Sequence, residues 1–260
     1  MIESRQNKIV KKIESLKNKK DRDKTGLFVV EGERFILEIP QSIKVDMFAV
    51  SESYYKNNDI EKFENRASVF VLSDNVFKFC ADTENPQGIL AVCEKFEKNP
   101  QDVVSNKKEN GFYIIAEELN DPGNLGTIIR TADAAGADGI FLTKGSVDLY
   151  NPKVLRSTMG AIFHINIFQN CDVAETVELL KENNISIYAA HLKGEKYPYS
   201  LDLKKGTAFF IGNEARGLSY KATSLCDDLV KLPIPGQAES LNASMAAGIL
   251  MYEVVRQRII

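Results

Sequence analysis

The stretch Leu232–Glu253, LPIPGQAESLNASMAAGILMYE, decides the reading of this 260-residue chain. Pro233, Pro235 and Gly236 make its first half a turn. It then passes through Glu239, Ser240, Leu241 and Asn242 into small and apolar residues that predict a helix from Ser240 to Arg256. A helix that opens on polar residues after a Pro-Gly turn presents free backbone amides. Just upstream, Phe209–Ser219 (FFIGNEARGLS) reads as an apolar strand ending at Gly212, with Asn213, Glu214 and Arg216 at its mouth. Buried strands that stop at glycine and acquire polar groups are where α/β proteins place ligands. Taken alone, each stretch reads first as an ordinary capped helix or an ordinary strand-to-helix turn. A third stretch makes the combination point to a site.

That stretch is Asn120–Gly136, NDPGNLGTIIRTADAAG, which follows the apolar strand Phe112–Leu119. Its Asp-Pro-Gly turn leads into a helix with Leu125, Ile128, Ile129, Ala132 and Ala135 on one side and Gly136 as its C-cap. Asn124 lies at the start of the helix, and Arg130 lies off the apolar stripe. Between and beyond these stretches, Gly139–Thr143, Ile162–Phe168, Ile185–His191, Thr207–Gly212 and Leu229–Leu232 read as strands. Helical segments near Lys153–Thr158 and Val173–Asn183 alternate with them. Such alternation predicts an α/β domain with a mostly parallel sheet covered on both faces.

The N-terminal third is a smaller α/β unit. Strands are expected at Leu27–Val30, Val45–Val50, Val69–Leu72 and Gly88–Cys93, and helices at Gly32–Ile39 and Glu52–Glu64. Residues 97–110 are polar, with Pro100 and Gly111 bounding most of the stretch, and read as a linker. The expected domains are therefore 1–96 and 111–260.

Composition narrows the function. Hydrophobic content of 44% and charged content of 27% are those of a globular protein. No apolar run reaches membrane-span length and the N-terminus is charged, so a cytoplasmic location without membrane contact is expected. Cys80, Cys93, Cys171 and Cys226 lack C-x-x-C spacing, and His164 and His191 sit in strand-like runs, so no metal site is expected. The net charge of −3 is unevenly spread: residues 1–24 hold nine Lys or Arg against four acidic residues, so they carry +5 and the remaining 236 carry −8. Ile9, Val10, Ile13 and Leu16 mark one apolar stripe there. The surrounding basic face, with Lys8 and Lys12, suits a phosphate backbone and equally a solvated helix surface.

There is no G-x-x-x-x-G-K-[ST] loop, no G-x-G-x-x-G and no G-x-S-x-G, which removes the common nucleotide-binding and hydrolase signatures. What remains is three polar, glycine-bearing turns at strand ends of one sheet. They define a pocket lined by Arg, Glu, Asn and Ser.

NDPGNLGTIIRTADAAG, FFIGNEARGLS and LPIPGQAESLNASMAAG resemble, in order, the three motifs of the SpoU (TrmH-type) branch of the SPOUT RNA methyltransferases. NPKVLRSTMGAIF (Asn151–Phe163) resembles the family's segment between the first two. FVVEGERFILE (Phe28–Glu38) and DTENPQGILAV (Asp82–Val92) resemble the L30e-like substrate-binding domain attached to many members. The resemblance implies a SPOUT domain with a C-terminal trefoil knot, a homodimer through that domain, and RNA, foremost rRNA, as partner. It implies methyl transfer from S-adenosylmethionine to a ribose 2′-hydroxyl, leaving S-adenosylhomocysteine. The alternative is an L30e-type RNA-binding protein whose second domain has lost activity.

By position, the resemblance assigns Arg130, Asn124, Glu214, Ser240 and Asn242 to catalysis. It assigns Gly212, Asn213, Leu232, Ile234, Leu241 and Ser244 to the cofactor, and Arg156 and Arg34 to RNA. A guanidinium is a poor proton acceptor at neutral pH, so Arg130 equally suits stabilising charge on the departing alkoxide. Ser240 and Asn242 serve equally as helix caps. Ala243, Ala246, Ala247 and Gly248 make a thin helix surface, and Leu250, Met251 and Val254 are expected to supply apolar area to the dimer.

Overall fold

The computed structural model describes residues 1–106 and 110–259. Its contacts separate Met1–Phe96 with Tyr150–Phe163 from Glu97–Leu149 with His164–Ile260.

In the first unit, α1 (Lys8–Ser15) and α2 (Lys19–Thr25) both begin at asparagine: the side chains of Asn7 and Asn18 accept from the amides of Ile9 and Lys20. This satisfies donors that a helix start leaves free. There follow β1 (Leu27–Glu31), α3 (Glu33–Leu37), β2 (Val45–Ser51), α4 (Glu52–Asn57), α5 (Glu61–Glu64), β3 (Val69–Leu72), α6 (Asp74–Cys80) and β4 (Ile89–Glu94). The sheet order is β1-β4-β2-β3, with β4 antiparallel to both neighbours and β3 parallel to β2. Val10 and Ile13 of α1, with Leu16 at its C-cap, join Met47, Ala49, Leu90, Val92 and the α6 residues Val76, Phe77 and Cys80 in one core. The single helix expected over Glu52–Glu64 is two, because Asn58 leaves α4 in an extended conformation. Helix α6 is an addition to the expected elements.

Part of the basic N-terminal face is used within this unit. Lys12 pairs with Asp46 at 2.9 Å, and Lys19 and Lys95 both hold Asp23 at 2.7 Å. Those two lysines lower the Asp23 carboxyl to about 2. Arg22 is buried and donates to the carbonyls of Leu16 and Lys17. Lys8, Lys11, Lys20 and Arg34 remain exposed.

The rest of the chain forms α7 (Pro100–Ser105), β5 (Phe112–Ala116), α8 (Pro122–Ala134), β6 (Gly139–Thr143), α9 (Pro152–Thr158, which belongs to the first unit), β7 (Asn166–Cys171), α10 (Val173–Glu182), β8 (Ser186–Ala190), β9 (Thr207–Ile211), α11 (Tyr220–Leu225), β10 (Asp228–Val230) and α12 (Ala243–Ile259). The second sheet has the order β10-β8-β9-β5-β6-β7, and every neighbouring pair is parallel. Central strands β5 and β9 are buried along their whole length, as apolar runs covered on both faces require.

Three expectations change here. The stretch 97–110 is not a bare linker: it contains α7, whose Val104 is buried in the second unit's core with Tyr113, Leu180 and Ile185. Residues 107–109 of that stretch lie outside the described residues, as does Ile260 at the end of the expected second domain. The apolar run Ile162–Phe168 divides in two. Ala161–Phe163 is a short 3-10 turn, and Phe163 packs on Phe35 and Phe96 in the first unit at 5.6 and 6.0 Å between ring centroids. Only from Asn166 does the chain enter the second sheet. Lastly, Leu250, Met251 and Val254 are buried within the chain, so their apolar area covers α8 and β9 instead of a second copy. Gly248 lies against α8 without being required there, since a Cβ would meet the Thr131 methyl at 3.8 Å, an ordinary contact.

Candidate active site

The site lies where β8, β9 and β10 end at one edge of the second sheet. After β8, His191, Leu192 and Lys193 turn outward; after β9, residues 212–218 double back; after β10, Leu232 and Ile234 lead to residues 240–243 and α12. Together these loops enclose a cavity of about 650 Å³. That volume falls within the roughly 300–1,000 Å³ typical of small-molecule sites.

The β9 loop is held by backbone geometry that only glycine permits. A Cβ on Gly212 would lie 2.5 Å from the carbonyl carbon of Gly217. Gly217 itself adopts φ +69, and its amide donates to the Asn213 carbonyl at 2.9 Å. Asn213 fastens the loop: its side-chain oxygen accepts from the amides of Ala215 and Arg216, and its amide nitrogen donates to the Glu118 carbonyl at 2.7 Å. Glu118 sits at φ 49, and its carboxylate pairs with Arg216. The neighbouring Glu117 is buried and accepts from the Ser219 amide and hydroxyl at 2.8 and 2.6 Å. The acidic end of β5 is thus a clamp on the β9 loop, a role that the sequence alone does not assign to Glu117 and Glu118.

The three polar turns meet through side chains. Asp121 is the N-cap of α8, accepting from the Asn124 amide at 2.7 Å with Pro122 in the first turn. The Asn124 side chain, 9% exposed, donates to Glu214 at 3.0 Å and accepts from Asn242 at 2.9 Å. The Glu214 carboxylate also accepts from the amides of Asn120 and Asp121, both at 3.2 Å. Burial acts to raise the Glu214 carboxyl, but the Asn124 donor and backbone amides outweigh it and hold it below the ordinary glutamate range. Asn242 caps α12, accepting from the Ser244 amide and hydroxyl at 2.9 and 2.7 Å and from the Met245 amide at 3.3 Å.

Of the residues expected at the cofactor, Gly212, Asn213, Leu232, Ile234 and Leu241 line the cavity, as do Glu214, Ser240 and Asn242 from the catalytic group. Ser244 is buried at the first turn of α12 and bonded to Asn242, outside the lining. The helix starts at Ala243, so Ser240 belongs to the loop and Asn242 alone is the cap. Arg130 is exposed on α8 and is not among the lining residues. Arg156 pairs with Asp82 within the first unit. Arg216, expected at the mouth of the β9 turn, lines the cavity too, while His191, Leu192, Lys193, Ala215, Gly217 and Leu218 join the lining without having been expected there; their position just beyond strand ends was the available signal. Among the described residues, no group of three His, Cys, Asp or Glu could hold a metal, and no helix is long and apolar enough to cross a membrane.

Comparison with known proteins identifies the family of the chain. Residues 111–252 match the SpoU rRNA Methylase family, and residues 7–91 match the MRM3-like substrate binding domain. The chain is 33% identical over 255 residues to the 23S rRNA (guanosine(2553)-2'-O)-methyltransferase RlmP of Bacillus subtilis (strain 168), covering 97% of this chain and 98% of that protein. The crystal structure of AdoMet-bound rRNA methyltransferase from Sinorhizobium meliloti superposes with a TM-score of 0.88 at 31% identity, covering 98% of this chain and 97% of that one. The SpoU methyltransferase AviRb from Streptomyces viridochromogenes, solved with AdoMet, gives 0.86 at 27% identity, covering 98% and 99%.

Proposed function

Because the chain belongs to the SpoU rRNA methylase family, we infer that it transfers a methyl group from S-adenosylmethionine to a ribose 2′-hydroxyl of RNA, with rRNA as the substrate class. The observation that carries this reading is the glycine-walled cavity of about 650 Å³ joined to the bonded Glu214–Asn124–Asn242 set. S-adenosylmethionine, when bound, supplies an activated methyl carbon on a sulfonium. The protein's task is to orient the reactants and manage one proton.

The residues present fit that group. The loop 212–218, Leu232 and Leu241 offer backbone donors and acceptors with few side chains in the way, which suits an adenine edge. Glu214 stays ionised and fixes Asn124, which in turn fixes the cap of α12. Arg130 acts on the acceptor, donating hydrogen bonds to the 2′-oxygen while the hydroxyl proton passes to solvent water and the sulfonium methyl–sulfur bond breaks. Lys8, Lys12, Arg34 and Arg156 bind RNA phosphates, with Lys12 and Arg156 giving up Asp46 and Asp82 to do so.

The remaining family features belong to the same proposal. The loop 231–242 forms the C-terminal knot. Two copies pair through the apolar face that α12 leaves exposed, Met245, Ile249 and Tyr252. The protein works in the cytoplasm. Calorimetry in EDTA tests the cofactor: S-adenosylmethionine and S-adenosylhomocysteine both bind, and absence of either heat signal overturns the reading. Mapping the ribose 2′-O-methyl groups that disappear on gene deletion identifies the nucleotide.

A further inference from the structure

The segment after β8 carries a feature the methyl-transfer chemistry does not use. Tyr197 and Tyr199 stack with ring centroids 5.8 Å apart and planes 14° from parallel. They are 38% and 54% exposed. Pro198 between them is buried, and its carbonyl accepts from Gln257 of α12 at 3.5 Å. With the middle residue turned inward, residues 197 and 199 face solvent together. The segment is pinned on both sides: Lys231 donates its amide to the Lys196 carbonyl at 3.0 Å, and the Lys196 ammonium pairs with Asp228 at 2.7 Å. The Lys231 ammonium lies 5.4 Å from the Tyr197 ring centroid. Lys231 immediately precedes Leu232, and the exposed Lys193 lies four residues before Tyr197; Leu232 and Lys193 both line the cavity.

Two exposed, preoriented aromatic rings beside lysines have the chemistry that recognises unpaired nucleotides: a π-face for the base and cations for the phosphates. We propose that the Tyr197–Tyr199 pair is a stacking platform for an unpaired base of the substrate RNA, with Tyr199 presenting the outer face and Lys193 and Lys231 holding the adjoining phosphates. This rests on the reading of the chain as an RNA methyltransferase and extends it to a surface that borders the cavity at Lys193 and Leu232.

Photocrosslinking the full chain to a single-stranded RNA dodecamer containing 5-iodouridine tests the platform directly. The expected adduct, located by mass spectrometry, is on Tyr199 or Tyr197; adducts confined to other residues overturn the proposal. In steady-state methyl transfer to rRNA from a deletion strain, Tyr199→Ala raises the KM for RNA roughly 5-fold or more, the low end of what base stacking contributes. It leaves kcat and S-adenosylmethionine affinity near wild type, and Tyr199→Phe restores KM. An unchanged KM in Tyr199→Ala, or a Tyr199→Phe variant no better than alanine, overturns it. So does a fall in solution mass on Tyr199→Ala, which would make the pair a contact between copies. Wild-type methyl transfer is the control: if it is absent, the parent reading fails, while the crosslink still reports on the platform.

Discussion

Asn124 is bonded to Glu214 through its side-chain nitrogen at 3.0 Å, while its side-chain oxygen accepts from the Asn242 side chain at 2.9 Å. One buried amide therefore ties the start of α8 to the β9 loop and to the cap of α12, residues 90 and 118 positions away. Replacing it leaves a carboxylate and an amide short of partners in a partly buried place. Asn124→Ala is expected to cost about 1–3 kcal/mol of stability, read by chemical denaturation, and to abolish methyl transfer. Asn124→Asp sets two carboxylates in contact, so its deficit is larger at pH 8 than at pH 5.

Arg130 lies outside the cavity lining, so its removal separates catalysis from cofactor binding. Arg130→Ala loses methyl transfer and keeps its S-adenosylmethionine affinity within about 2-fold by calorimetry, below roughly 0.5 kcal/mol. Loss of cofactor affinity together with activity would place Arg130 in the cofactor site.

The Glu214 carboxyl is held below its ordinary range in the folded protein, so the unfolded chain takes up this proton at higher pH than the folded one. Its contribution to stability is complete above the unfolded value of about 4.3 and disappears as pH falls through the folded value. Glu214→Gln is expected to flatten the loss of stability with acid below about pH 4.3. Denaturation midpoints measured from pH 7 down to pH 3 provide the check, and a slope identical to wild type contradicts it.

Exposed lysines at the N-terminus divide into two sets. Lys12 and the exposed Lys19 hold Asp46 and Asp23, whereas Lys8, Lys11 and Lys20 are exposed and form the other set. Replacing Lys8, Lys11 and Lys20 with alanine is expected to weaken binding of all RNAs alike and to flatten the salt slope by roughly 0.7–0.9 for each phosphate no longer neutralised. An unchanged slope returns these residues to a solvated helix face.

The exposed apolar face of α12 predicts the oligomer. Ile249→Glu places a charge among Met245 and Tyr252 without touching the buried Leu250, Met251 and Val254. Sedimentation is expected to show a two-chain mass for the wild type and a single-chain mass for this variant.

Strand alternation, the three polar turns and the apolar stripe of α1 are legible in the sequence because each rests on local periodicity or turn chemistry. Gly139–Thr143 reads correctly to the residue, and Thr207–Gly212 to within one. Motif order identifies the family and with it the cofactor. Which partner each side chain finds depends on which strands become neighbours, and only the tertiary structure decided that. Phe163 reads as a strand residue because apolarity is the same in a strand and in a turn packed on Phe35 and Phe96. Leu250 and Met251 read as partner-facing because a sequence does not show that α8 and β9 already cover them. Asn124 and Asn242 each read as polar site residues, but only the loop that returns from edge strand β10 brings the cap of α12 to the start of α8, which follows β5. Local free energies set the elements; the pairing of distant amides and carboxylates follows from the register of a parallel sheet.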